Sequence, residues 1–220
     1  MIIIFDWDGT LCDSIDHIVE AMQAAAVECA ATVPTVAAVR DIVGLGLPQA
    51  VLQLFPELDE PERDQLRAAY SRLYVALDRG PAPLYPGALE TLHGLRDRGL
   101  ELAVATGKSR RGLNRVLAGL DMEGFFDSTR CADETSSKPH PLMLQEILAE
   151  RSKAAEEAVM IGDTEFDLAM AVNAGMDAIG VSFGVHSVQR LESHDPLAIV
   201  DTLPELLELE ALQGRANKTG

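Results

Sequence analysis

Two acids stand two residues apart where the chain's first apolar run ends: Ile2–Phe5 is followed by Asp6-Trp7-Asp8-Gly9-Thr10. In extended backbone, positions i and i+2 face the same way, so both carboxylates enter one space. Carboxylates that close repel unless a proton or a cation separates them. Magnesium suits such a pair, because it takes hard oxygen ligands and keeps some of its water. Gly9 permits a tight turn directly behind. A lone Asp-x-Asp reads as a strand running into a capped turn; its place immediately after an apolar strand argues for more.

Three later segments deliver groups of complementary chemistry. In Val104-Ala-Thr106-Gly107-Lys108, the Thr106 hydroxyl and the Gly107 amide sit where a helix begins, a natural anion site, although Thr106 alone would read as a helix cap. In Ser137-Lys138-Pro139, Lys138 offers a compact positive charge, where a solitary loop lysine is usually a solvated one. In Ile161-Gly-Asp163-Thr-Glu-Phe-Asp167, the two acids lie one helical turn apart and can reach the same metal region. The alternative for Asp163 and Asp167 is an N-cap followed by an incidental helix acid.

The elements that must position these groups are legible in the apolar pattern. Ile2–Phe5 reads as a buried parallel strand. Residues 13 to about 80 read as helices only: 13–32, a second after Pro34, a third over 47–54, and a fourth from Pro61 to about Asp78. A Pro/Gly-rich junction around 80–87 marks a hinge. Beyond it, strands expected at 101–105, 125–128, 158–161, 177–181 and 199–200 alternate with helices at 88–98, 109–120, 141–151 and 165–174. Such alternation implies a parallel sheet with right-handed crossovers and helices on both faces. The fold class is α/β: a three-layer, Rossmann-like parallel-sheet core of residues 1–12 and 84–220, with an all-helical cap, 13–83, inserted after the first strand. Ligands of open α/β sheets bind outside the carboxyl ends of the strands. Asp6, Asp8, Thr106, Lys138, Asp163 and Asp167 all belong to that edge. The tail, 213–220, reads as frayed.

Composition narrows the partners. Of 220 residues, 47% are apolar and 5% aromatic, enough for a sizeable aliphatic core. Eighteen Lys and Arg against 35 Asp and Glu give a formal charge of −17, with no basic run. Nucleic acid and anionic membranes are therefore poor partners. A small anionic substrate would need a locally positive pocket, which a divalent cation helps to supply. Cys12, Cys29 and Cys131 form no C-x-x-C pair, which fits reduced thiols in a cytoplasm. The apolar start is too short for a signal peptide or a membrane span. The histidines show no zinc spacing.

With these motifs in order along nearly the whole chain, the sequence resembles the haloacid dehalogenase superfamily, in the branch with a helical cap after the first strand, and is similar there to phosphoglycolate-phosphatase-like hydrolases. The resemblance implies a magnesium-dependent phosphatase acting on a small phosphorylated metabolite. Asp6 would form an aspartyl-phosphate, and Asp8 would serve as general acid and base. Asp6, the Asp8 carbonyl and Asp163 would hold Mg²⁺, with Asp167 behind them. Thr106, Gly107 and Lys138 would hold phosphoryl oxygens. Metal-free dehalogenases of the superfamily lack an acid at position 8, and phosphonate-cleaving members carry a small residue there, so Asp8 speaks against both. Gly107 departs from the family, which often has Asn, and Trp7 replaces the more usual Leu, which places it on the core side of the turn. In the cap, Arg40 could bind a substrate carboxylate or a second phosphate bidentately, or be a surface arginine at a helix end. Lys108 could pair with the acids, or be an ordinary helix-start lysine. His17 reads as a helix-surface residue. A phosphosugar mutase and a catalytically silent binding protein on the same fold are the alternatives, and the protein is expected to be a monomer or a homodimer.

Overall fold

The computed structural model describes residues 1–77, 80 and 82–213. Six strands form one sheet in the order β3-β2-β1-β4-β5-β6, and every pairing is parallel. They are β1 (Ile2–Phe5), β2 (Glu101–Thr106), β3 (Ser128–Cys131), β4 (Ala158–Gly162), β5 (Asp177–Val181) and β6 (Ala198–Val200). The all-apolar β1 runs down the centre because both of its faces are covered. Ile3 and Phe5 enter one core with Leu92, Leu95, Leu113 and Leu117, from α5 (Ala88–Asp97) and α6 (Arg110–Gly119). Ile2 and Ile4 enter the other, with Met143, Ile147, Leu168 and Met170, from α7 (Leu142–Arg151) and α8 (Glu165–Ala174). The period-two alternation of a strand thus feeds two helical layers at once.

The strand expected at 125–128 lies three residues further on, at Ser128–Cys131. Phe125 and Phe126 are not in the ladder. They pack edge-on to each other, with His93 against Phe125 and Trp7 against Phe126. The ladder instead takes the polar Ser-Thr-Arg-Cys run, which an edge strand tolerates because part of it faces solvent. Arg130 there pairs with Glu146 at 2.8 Å and with Glu150 at 2.8 Å.

Between β1 and α5 stand α1 (Ile15–Glu28), α2 (Val36–Asp41), α3 (Leu47–Leu54) and α4 (Glu60–Ala76). They enclose their own apolar cluster, which includes Ile15, Met22, Val39, Val51, Phe55 and Leu66. Asp59 starts α4 with a reciprocal capping box: its carboxylate accepts from Glu62 N at 2.9 Å, and Glu62 Oε2 accepts from Asp59 N at 2.8 Å. The expected end of this helix at Asp78, part of the Pro/Gly junction and nearly all of the tail lie outside the described residues.

Candidate active site

Asp6 leaves the end of β1 with its amide bonded to the Ile161 carbonyl of β4 at 2.9 Å. The chain then folds back at once, as the amides of Leu11 and Cys12 both donate to the Trp7 carbonyl, at 3.0 and 2.9 Å. Gly9 holds this loop at φ +89°, and a side chain there would collide with the Asp163 carboxylate. Trp7 is fully buried on the core side of the turn.

Three wholly buried carboxylates meet behind the loop. Oxygens of Asp6, Asp163 and Asp167 all lie within 4.8 Å of one another. Asp163 follows β4 and is fixed from two sides: Thr10 Oγ1 donates to its Oδ1 at 2.9 Å, and the Val185 amide to its Oδ2 at 3.0 Å. Asp167 sits in the first turn of α8, and its Oδ2 accepts from Thr164 Oγ1 at 2.7 Å. Lys138 reaches in from its loop and donates to Asp6 Oδ1 at 2.5 Å and Asp167 Oδ1 at 2.6 Å. Burial alone would lower the Lys138 pKa, but Asp167 and Asp6 override it and raise it. Burial drives the Asp6 carboxyl well above its ordinary value; Lys138 opposes this, while Asp167 and Asp163 add to it. Asp163 is pushed up to about 7, by burial first and Asp167 second.

The balance of charge bears on a metal. One ammonium faces three buried carboxyl groups, more than a single cation can pair. Asp6 Oδ2 is buried with no hydrogen-bond partner. A hard divalent cation fits both facts, and the donor set is all oxygen. Asp6, Asp163 and Asp167 are the side chains that could hold it.

Asp8 takes a different partner from the one its spacing suggested. Its carboxylate lines the same cavity as Asp6 but is held by Lys108 Nζ at 2.9 Å and by the Ser14 hydroxyl. Lys108 in turn donates to Tyr74 Oη of α4 at 3.1 Å. Its pKa is raised: burial lowers it, but Asp8 and Tyr74 outweigh that. Thr106 is buried at the end of β2 and accepts from the Lys108 amide at 3.2 Å. The cap of α6 is Ser109, whose hydroxyl accepts from Gly112 N at 3.2 Å. Gly107 opens onto the cavity, and a Cβ there would stand 2.5 Å from the Leu45 carbonyl and 2.7 Å from that of Gly44.

The cavity encloses about 720 Å³ between Asp6, Asp8, Gly107 and Lys108 on one side and the inserted helices on the other. Arg40 is not on its wall. α2 turns that side chain toward Asp16 of α1, 3.7 Å away, in a solvated pair. His17 also faces elsewhere, with Nε2 2.8 Å from the Tyr74 carbonyl. Ser14, Thr10 and Tyr74 are the groups that sequence reasoning missed. Tyr74 had a signal, since it stands one helical turn after Tyr70 on the face of α4 that turns inward.

A model of the haloacid dehalogenase-like hydrolases matches residues 3–181. The chain belongs to that family. It is 35% identical over 213 residues to "Probable phosphatase IndB" of Dickeya dadantii, covering 94% of this chain and 91% of that protein. It is 30% identical over 216 residues to a phosphoglycolate phosphatase of Vibrio cholerae, covering 94% and 96%. A haloacid dehalogenase-like hydrolase from Streptococcus pneumoniae superposes with a TM-score of 0.81 at 25% identity, covering 94% of this chain and 96% of that one. A hydrolase from Pseudomonas syringae shares the fold, with a TM-score of 0.86 over 94% of this chain and 96% of that one, at 22% identity. This haloacid dehalogenase-like protein is thus a phosphoglycolate-phosphatase-like hydrolase, of the phosphoric monoester hydrolase class. No helix among the described residues is long and apolar enough to cross a membrane.

Proposed function

We propose that the enzyme hydrolyses a small phosphorylated metabolite through a covalent aspartyl-phosphate on Asp6, with Mg²⁺ as cofactor, in the cytoplasm. The observation that carries this reading is Asp6 Oδ2, buried and unpartnered in a carboxylate cluster beside a single lysine. Asp6 Oδ attacks phosphorus, and the bond from phosphorus to the leaving alcohol oxygen breaks. Asp8, held by Lys108 and Ser14, gives a proton to that oxygen. Water then attacks the phosphorus and gives a proton to Asp8. The bond from phosphorus to Asp6 breaks, and phosphate and free Asp6 result.

The Asp6 and Asp163 carboxylates and the Asp8 carbonyl would hold the metal, with Asp167 behind them. When bound, the ion offsets the charge of the transferring phosphoryl group. Lys138 supplies positive charge from the protein's own side, and Thr106 and the Gly107 amide orient phosphoryl oxygens. The inserted helices, residues 13–83, serve as a cap over the strand ends. Free thiols at Cys12, Cys29 and Cys131 support the cytoplasmic placement.

The test is phosphate release by wild type and Asp6→Asn across a panel of phosphorylated metabolites, with Mg²⁺ and with EDTA. Wild type should turn over one or a few compounds with Mg²⁺ only, and Asp6→Asn none. Equal activity of the two proteins would end the aspartyl-phosphate reading.

A further inference from the structure

The cavity is built for a larger and less polar alcohol than a two-carbon acid. Its volume, about 720 Å³, is that of a pocket for a drug-sized ligand. Phosphoglycolate would fill a small part of it. On the side of the inserted helices the wall is apolar and aromatic: Met22, Ile42, Leu45, Leu47, Tyr70 and Tyr74 all line it. Tyr70 and Tyr74 stand with ring centroids 5.7 Å apart at 46°, two tilted aromatic faces on one helix.

Among the described residues, four cations line the cavity: Lys108, Arg72, Arg111 and Arg115. Lys108 is bound by Asp8, Arg72 by Glu28, and the Arg115 guanidinium lies 5.4 Å from the Tyr74 ring centroid. Tyr74 Oη takes the Lys108 ammonium, which turns the phenol's polar end away from the cavity's apolar side. A substrate carboxylate directed at Met22, Ile42, Leu45 and Leu47 rather than at these cations would be desolvated against apolar side chains, which is costly. Arg40, the cation expected to receive one, faces Asp16 instead. An apolar ring placed there would exchange water for methionine, leucine and tyrosine surface.

Resting on the phosphatase reading, we infer that the substrate is a phosphate monoester of an alcohol bearing an apolar ring, seated against Tyr70, Tyr74 and the Met22 side of the cavity. Ethyl phosphate and 2-phenylethyl phosphate make the test, since both release a primary alkoxide and differ only by the ring. Acetyl phosphate, small and activated, reports the chemistry alone. With Mg²⁺, kcat/KM for 2-phenylethyl phosphate should exceed that for ethyl phosphate and for phosphoglycolate by at least about tenfold. Leu47 and Val75 line the cavity and are partly exposed, so polar replacements there are compatible with folding. Leu47→Asn and Val75→Asn should each shrink the ring preference severalfold while acetyl phosphate turnover stays at the wild-type rate. Hydrolysis of acetyl phosphate with equal rates on the two alkyl esters, or with phosphoglycolate preferred, overturns the inference and leaves the phosphatase standing. A ring preference that both variants leave intact overturns the seat assigned to it. No hydrolysis of acetyl phosphate removes the phosphatase reading and this inference with it.

Discussion

Among the described residues Lys138 is the one ammonium paired with the buried carboxylate cluster, so its removal has consequences for stability as well as for chemistry. Breaking a buried ion pair by deleting one partner typically costs about 3–5 kcal/mol, because the remaining charge is stranded. Lys138→Met should therefore unfold at lower urea concentration by about that margin in EDTA, and should lose phosphatase activity. Lys108→Met strands only the Asp8 carboxylate at the cavity edge. It should lower kcat by about tenfold to a hundredfold with a smaller change in KM, because Asp8 loses its positioning partner. Steady-state kinetics on acetyl phosphate separates the two effects. Asp6 and Asp163 were legible in the sequence as acids following buried strands, Asp167 as an acid one helical turn beyond Asp163, and Lys138 as a loop lysine before a helix; the structure brings the four together. The direction of the Asp8 side chain was not legible. It depends on a lysine from another strand end and a tyrosine from the inserted helices, and neither distance is encoded in the Asp-x-Asp spacing. The turn of Arg40 toward Asp16 was hidden for the same reason: a helix position states a face, not a partner.

At the scale of elements, the loop 44–46 and the loop after β2 lie back to back. Gly107 leaves no room for a side chain, since the atoms it would meet are backbone carbonyls of Gly44 and Leu45. Gly107→Asn must displace one of these loops. It should cost about 1–3 kcal/mol of stability and reduce kcat/KM by about tenfold or more, read by thermal melts and kinetics on one preparation. The asparagine that the family resemblance implies at this position would meet the same two carbonyls. The capping box of α4 is remote from this contact. Asp59→Ala should cost about 1 kcal/mol and leave acetyl phosphate turnover unchanged. The central strands were legible because burial on both faces makes them continuous apolar runs. β3 was misplaced by three residues because an edge strand can be polar, and because the Phe125-Phe126 pair, the stronger β signal, is used for aromatic packing beside Trp7.

Across the whole molecule, the acidic cluster that would hold the proposed metal also bears on stability. A divalent ion bound by the native state alone adds about 2.7 kcal/mol at a hundred times its Kd. For a chain of this size that is a rise in Tm of roughly 5–10 °C. Mg²⁺ should produce such a rise, EDTA should reverse it, and Asp163→Asn should abolish it in differential scanning calorimetry. The inserted helices are also tied to the helical layer of α8: Arg190 bridges Asp41 of α2 and Glu165 of α8, and His186 Nε2 lies 3.4 Å from the Asp41 carbonyl. Burial holds the His186 imidazole below its ordinary pKa, with Arg190 adding to the effect.

The strand order has a consequence for the making of the protein. β1 is synthesised before both of its neighbours in the sheet, which begin at residues 101 and 158. At about 5–20 residues per second, Ile2–Phe5 waits roughly 8–30 s after its own synthesis for its β4 partner. During that interval an apolar strand is exposed on the nascent chain, and the four helices that follow it are the first unit able to bury a core of their own. Asp6, at the end of β1, is thus translated well before the β4 carbonyl that fixes its amide is available.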